Sequence, residues 1–418
     1  MDAFSKYQAI QDFKRSGAAV FAGINYANVI AVRLYDTSVK GFVHKLAYAL
    51  LFDTIAGVSP SGTQRVLTLY SCRGKGRRDY DFIADRVSEV LGSDACHVEL
   101  VDRPSFLQWS RTLKRFPSSW RCTAALRGGF FARLGAALLI AKYRSFAEDS
   151  LSRLLQGSSR LVTFCDAHPL ENLAVQIGRA SGTFTLTNQH GQYRGLTESN
   201  MSPDAEAYAN FVSHQMLCWG AATRDEFVRL GFDSDQFAIT GWVREWQLPD
   251  HGPDRERKGV FGVMLNGENA RASNPRLIDT AKRIAEGLGL RYVVRLHPLN
   301  DPRDYANLVD GNCEFIGVRD LRAYLDETDF SIAHMTGATI EMLHAGIPVY
   351  LLDDGSLASI FSVPGLSFSD VSGILSAIQL DASQPEECRQ RLGRLANWFN
   401  DDRMQAQRLK QFCLGGDA

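Results

Sequence analysis

From about Val66 onward the chain alternates short apolar runs with amphipathic segments, the pattern of parallel strands covered on both faces by helices. The run VLTLYS at 66–71 predicts a strand, DFIADRVSEVLG a helix and HVELVD the next strand. The rhythm continues with a strand over LVTFCD at 161–166, a helix over LENLAVQIGRAS and a strand with its exit over TFTLTNQHG at 183–191. MLCWG, a helix in ATRDEFVRLG and FAITGW close this first series. A second series reads VFGVMLN, a helix over 275–288, RYVVRLHP, CEFIG, a helix over 319–327, FSIAHM, a helix over 338–345 and PVYLLDD. Between the two lies LPDHGPDRERKG at 248–259, polar and containing Pro and Gly, which is the composition of a linker.

This doubling predicts an α/β protein of two Rossmann-like domains facing each other across a cleft. An N-terminal domain is expected over 1–247, the linker over 248–259 and a C-terminal domain over 260–418. The stretch Pro385 to Leu414 reads as one long amphipathic helix, able to cross back to the first domain. A chain of 418 residues that is 45% hydrophobic and 22% charged can bury two cores of this kind. Ligands of open α/β sheets bind beyond the carboxyl ends of the strands, so the residues just after each strand carry the functional reading.

A net charge of -1 excludes a general nucleic-acid binder, which needs a basic excess. The charge is uneven, however. Between Val101 and Ser145 nine Lys or Arg (103, 111, 114, 115, 121, 127, 133, 142 and 144) stand against one acid, Asp102, and Phe106, Trp109, Phe116, Trp120, Phe130, Phe131 and Tyr143 are interleaved with them. Cations and aromatics on amphipathic helices suit attachment to an anionic lipid surface; equally, they suit a helical pair packed on the first sheet with its arginines solvated. The eight cysteines show no CxxC pair and no metal-ligand or disulfide spacing, and read as reduced cytosolic thiols. With no stretch of about 18 apolar residues and no signal-like start, the chain is expected to be cytoplasmic, soluble or peripheral at the inner face of the plasma membrane.

Two groups of strand-end residues carry candidate chemistry. In the first domain Gln189-His190-Gly191 ends a strand, and an imidazole beside a glycine there can serve as general base near neutral pH or simply hold a turn. Asp166 and His168 end the preceding strand. They can orient His190, Asp166 can itself be the base, or Asp166 can cap the helix that starts near Pro169. In the second domain Arg295 and His297 end one strand, and Thr336, Gly337, Thr339 and Glu341 open a later helix. A helix start with a cation on a neighbouring strand end can hold a phosphate. Glu341 can accept from a ribose or complement the helix dipole. The loop NGENARAS at 266–273, with Asn266 and Gly267, can close over a diphosphate or form an ordinary turn. Asp353-Asp354-Gly355 reads as a turn, and no metal site is expected.

The doubled architecture, the QHG and RLHP strand ends and the segment TGATIEMLHAGIPV together resemble GT-B glycosyltransferases of bacterial surface polysaccharides. They are most similar to the branch with CDP-glycerol glycerophosphotransferases and the HP-motif transferases that use CMP-activated acidic sugars. The resemblance implies that His190 is the base, His297 a phosphate contact, and Thr336 and Thr339 the family's hydroxyl pair. It departs where Gln189 stands in place of the glycerophosphotransferases' tryptophan, where Thr-Gly-Ala-Thr replaces paired serines, and where the acidic base motif of the CMP-sugar enzymes is absent. It implies a metal-independent transferase with no cofactor beyond its nucleotide-activated donor as substrate, a CMP-sugar ahead of a UDP-sugar. The expected acceptor is a hydroxyl of a lipid-linked or growing surface glycan. A CDP-glycerol-type transferase, a nucleotide-sugar epimerase and a non-catalytic glycan-binding protein are the alternatives.

Overall fold

The computed structural model describes residues 2–58, 65–71, 78–193, 195–198, 201–202, 205–242, 257–297, 300–317, 321–401 and 405–415; most of the expected linker and Pro298 lie outside the described residues. The chain forms two compact units. Unit 1 comprises Met1–Trp219, Phe227–Arg244 and Arg403–Ala418, and unit 2 comprises Gly220–Glu226 and Glu245–Asp402. Both are Rossmann-like α/β structures, as the alternating pattern predicts.

Unit 1 opens on the helix Ala3–Arg15, followed by a two-stranded ribbon, β1 (Val20–Phe21) and β2 (Ile24–Asn25). Its main sheet contains β3 (Phe52–Val58), β4 (Val66–Tyr70), β5 (Cys96–Pro104), β6 (Arg160–Thr163), β7 (Phe184–Asn188), β8 (Gln215–Cys218) and β9 (Phe237–Ile239). The spatial order is β3-β5-β4-β6-β7-β8-β9. All neighbours are parallel except β3, which runs antiparallel to β5 along the edge, with Phe52 opposite Pro104 and Val58 opposite Val98. Every residue of β4 is buried, as a central strand covered on both faces requires. Three helices, Val39–Leu51, Gln108–Cys122 and Phe130–Phe146, pack together, so the basic stretch 101–145 forms the end of β5 and two of these helices.

Unit 2 contains β10 (Val260–Met264), β11 (Arg291–Arg295), β12 (Cys313–Gly317), β13 (Ser331–Ala333), β14 (Val349–Leu352) and β15 (Ser367–Phe368), all parallel, in the order β12-β11-β10-β13-β14-β15. The helix Asn274–Leu288 shows how this unit is built. Leu277, Ile278, Ala281, Ile284 and Ala285 recur at helical spacing, are buried, and join a core with Phe261, Val263, Tyr292, Val294 and Ile332. Each large apolar side chain so buried contributes about 1.5–3 kcal/mol. The helix stops where Gly289 takes the left-handed conformation at φ 65°.

The stretch 385–414 is two helices, Pro385–Phe399 and Gln405–Leu414, in place of the single one its amphipathic pattern predicts. Asn400 caps the first in an extended conformation (φ -140°, ψ 103°), which ends the helical path. The second helix belongs to unit 1, where Leu409 and Cys413 enter the core beside Val66, Tyr70 and Val162, and the Arg160 guanidinium donates to the Phe412 carbonyl at 2.9 Å.

Mid-strand Gly262 is required by packing, because a Cβ there would run into the Tyr324 ring and hydroxyl, which is itself bonded to Ser331 Oγ at 2.8 Å. Gly262→Ala should therefore destabilise the protein by about 1–3 kcal/mol, measured as a fall in the urea unfolding midpoint.

Candidate functional site

In unit 2 the strand order reverses between β10 and β13, so the loops leaving these strands run apart and open a crevice at their carboxyl ends. Asn266 frames it. Its Oδ1 accepts from the Met335 N–H at 3.1 Å, tying the exit of β10 to the exit of β13. Its Nδ2 donates to the Ala270 carbonyl and to Asn274 Oδ1, and its carbonyl accepts from Asn274 Nδ2 and Asn300 Nδ2. Expected as a donor contact, Asn266 directs its side chain into this internal network. The segment Glu268–Ser273 that follows is a 3₁₀ turn.

Gly267 has a different role. A Cβ there would lie 2.9 Å from Cε1 and Nε2 of His297, so only glycine lets the imidazole rest on this loop. His297 is half-buried; burial, and then the charge of Arg295, hold its pKa below the ordinary value, so it is neutral at physiological pH. Arg295 and Thr336 share a floor in Met264, whose sulfur lies 3.9 Å from Arg295 Nη1 and 3.8 Å from Thr336 Oγ1. The structure thus brings Arg295, Thr336, His297 and Gly267 to the ends of β10, β11 and β13. The helix begins at Ala338 with Gly337 as its N-cap and runs to His344, as the pattern over 338–345 predicts, so Thr336 lies just before it. Thr339 is completely buried, and its Oγ1 has no hydrogen-bond partner among the described residues. Glu341 lies in the first turn, half-buried.

A neighbouring pair escaped the sequence reading. His334, fully buried after β13, places Nε2 3.1 Å from Oδ1 of Asp354, which follows β14. Ser356 donates to the same oxygen from Oγ at 2.6 Å and from its N–H at 3.0 Å. Burial raises the Asp354 pKa, but hydrogen bonds from Ser273 and Ser356 and the nearby imidazole outweigh it and hold the carboxyl far below its ordinary range. Burial lowers the His334 pKa against the attraction of Asp354, and its buried Nδ1 has no partner among the described residues. Asp353 makes the expected turn, accepting from the Gly355 N–H at 3.0 Å. Asp354 does more than turn chemistry asks.

In unit 1 the order reverses between β4 and β6. Here a carboxylate of the protein's own occupies the crevice. Glu171, fully buried in the first turn of the helix Pro169–Ala180, accepts from the Ser71 N–H at 2.8 Å and Oγ at 3.0 Å, and from the Cys165 N–H at 2.5 Å. An acid in the first turn was visible in the sequence; its reach to β4 depends on strand order.

His190 lies 8% exposed in a box of rings, with Phe164, Tyr80, His168 and Tyr193 at centroid distances of 5.7, 6.1, 6.2 and 5.4 Å. Its Nδ1 is 3.2 Å from Tyr193 Oη and its Nε2 3.7 Å from the buried Cys165 sulfur. Gln189 steadies the loop by accepting from the Trp219 N–H at 2.8 Å and donating to the Gly191 carbonyl at 3.0 Å. A Cβ at Gly191 would meet nothing within 4 Å among the described residues. Asp166 does not cap the helix, whose N-cap is His168. Nor does its hydrogen bonding orient His190: Oδ2 accepts from the N–H groups of Val212 and Ser213 at 2.8 and 2.7 Å. Burial pushes the Asp166 pKa up to about 6, against these two bonds, which lower it.

No protein-family model matches the chain, and no curated protein does. Among solved structures it is similar to the UDP-GlcNAc 2-epimerase of Neisseria meningitidis bound to UDP-GlcNAc, at 12% identity and a TM-score of 0.45, covering 83% of this chain and 98% of that one. It is also similar to the lipopolysaccharide outer core galactosyltransferase WaaB, at 10% identity and 0.49, covering 82% and 98%. A third is CalG4, the calicheamicin glycosyltransferase, at 14% identity and 0.45, covering 85% and 100%.

Asp166→Ala should cost about 1–3 kcal/mol for each of the two N–H groups it orphans. Asp166→Asn, which keeps an acceptor, should cost less and expose the titration. The folded carboxyl keeps its proton up to about pH 6 and the unfolded one only up to about 3.8, so its contribution to stability is complete below 3.8 and is lost as pH rises through 6. The stability of wild type relative to Asp166→Asn should fall across that window in urea titrations.

Proposed function

We propose that the protein is a GT-B glycosyltransferase that moves a sugar from a nucleotide-activated donor, a CMP-sugar ahead of a UDP-sugar, to a hydroxyl of a lipid-linked or growing surface glycan. The observation that carries this reading is the contrast between the two strand-order reversals. In unit 2 the crevice is framed by a neutral amide, Asn266, with Arg295, His297 and Thr336 at the surrounding strand ends, which favours a phosphate. In unit 1 the corresponding position already holds Glu171, which takes up the Ser71 and Cys165 N–H groups a phosphate would use. The donor phosphates are therefore assigned to unit 2, and the acceptor base to unit 1.

His190 is that base. With Nδ1–H donated to Tyr193 Oη, Nε2 exchanges its contact with the Cys165 thiol for the acceptor hydroxyl and takes its proton. The acceptor oxygen then bonds to the anomeric carbon while the bond from that carbon to the donor phosphate breaks. Charge develops on the departing phosphate, where Arg295 and the neutral His297 can bond to it, with no metal ion required. Contacts made there should affect turnover more than resting affinity. Asp166, whose Oδ2 holds two backbone donors, is the weaker base candidate.

A nucleotide-sugar epimerase is the second reading, favoured by the His334–Asp354 pair, which places two titratable groups on the donor-side unit. It would rearrange the donor with no acceptor present, as NMR of the sugar would show.

His190→Ala and His297→Ala should each lower transfer by about 10²-fold or more while leaving the fold intact. Near-wild-type transfer by either variant with a productive donor would refute its assigned role. In thermal shift, CMP-sugars should raise Tm more than UDP-sugars or CDP-glycerol, and Arg295→Ala should reduce that gain. A preference for CDP-glycerol would reassign the reaction to phosphodiester transfer.

A further inference from the structure

Fifteen large hydrophobic side chains are exposed among the described residues, and ten of them lie on one group of elements. These are Val39, Val43 and Leu51 on the helix Val39–Leu51, Val101 on β5, Phe106, Leu107, Trp109 and Leu113 at the start of the helix Gln108–Cys122, and Phe130 and Phe131 at the start of the helix Phe130–Phe146. Four of the five exposed aromatics of that set are here, with Phe106 at 92% exposure. The concentration is too great for scattered surface residues. The first helix was no part of the basic-aromatic segment visible in the sequence; packing brings it in. Ser105 N–H donates to the Leu51 carbonyl at 2.8 Å, and the Phe42 and Phe131 rings lie 5.1 Å apart, so the three helices are neighbours on unit 1 and carry their exposed apolar side chains together.

Cations accompany the apolar side chains. Lys40, Arg103, Lys114 and Arg121 are exposed on the same elements. Other basic residues of the segment serve the fold: Arg115 bonds Glu148 and Asp149, Arg111 bonds Asp53, and the Arg133 guanidinium lies over the Trp120 ring. On the helix Gln108–Cys122, Trp109, Leu113, Pro117 and Arg121 follow at steps of four, all exposed, a stripe that passes from apolar to basic along one side. Protein–protein interfaces deplete lysine at an apolar core, whereas an anionic bilayer surface takes up both kinds of group together, aromatics at the headgroup boundary and cations among the phosphates.

We propose that this three-helix face docks on an anionic phospholipid bilayer, with Phe106, Leu107 and Trp109 entering the headgroup boundary and Lys114 and Arg121 bonding lipid phosphates. Attachment is peripheral, since no helix among the described residues is long and apolar enough to cross a membrane. Nothing in this docking requires turnover or a nucleotide.

The test is co-sedimentation of the full chain, without any nucleotide, with vesicles of phosphatidylcholine alone or with about one-third phosphatidylglycerol, alongside tryptophan fluorescence and analytical ultracentrifugation. Wild type should partition onto the anionic vesicles only, with a blue shift of its emission and a strong decline at high salt. Phe106→Ser with Leu107→Ser, and separately Lys114→Glu with Arg121→Glu, should each weaken partitioning by about tenfold or more, while Leu380→Ser, an exposed apolar change in unit 2, should leave it unchanged. All these positions are on the surface, so unchanged circular dichroism is expected. Failure of wild type to bind anionic vesicles, or equal binding by the variants, overturns the proposal. A wild-type dimer that the Phe106/Leu107 pair dissociates, with no lipid binding, overturns it in favour of a second copy on this face.

Discussion

A parallel sheet covered by helices leaves a difficulty at its carboxyl edge. Where the strand order reverses, two neighbouring chains part, and their backbone donors face a crevice with no strand to pair with. A buried orphan donor costs about 1–3 kcal/mol, so something must satisfy these groups. Each unit answers with one polar side chain. In unit 1 Glu171 collects the donors of Ser71 and Cys165. In unit 2 Asn266 collects that of Met335 and passes the rest of its hydrogen bonding to Asn274, Ala270 and Asn300.

The difference between an acid and an amide at equivalent places sets the chemistry each unit can host. An acid settles its donors with both of its oxygens, so the backbone N–H groups that open the first crevice are already taken. An amide settles them without charge, so the potential of the second is set by its neighbours, Arg295 and His297 resting on Gly267 together with the ionised Asp354 beyond them. The same need governs Asp166, whose elevated pKa would suit proton transfer but whose oxygen holds two backbone donors in place.

Much of this architecture was legible in the sequence, for definite reasons. Runs such as VLTLY and VYLL must be buried on both faces, and continuous apolar character between helical segments says so directly. Edge strand β3 is less apolar and pairs antiparallel, so it lacks that signature. The break at Asn400 was invisible because an amphipathic pattern can run through a turn unchanged. At the site, Arg295, His297 and Thr336 could be grouped because strand ends and helix starts announce themselves. His334 with Asp354 and Glu171 with Ser71 could not, since each pairing depends on which strands are neighbours, and that is decided by topology. Thr339 misled for the opposite reason: its hydroxyl suggested a ligand contact, while its helical position turned it into the core.

The helix Gln405–Leu414 gives unit 1 an unusual history. Its Leu409 and Cys413 complete a core whose other members, Val66, Tyr70 and Val162, are translated much earlier, and the whole of β10 to β15 emerges from the ribosome in between. Until that helix arrives, the apolar surface it covers stands open, and the nascent first unit waits, unfinished, for the second to be made.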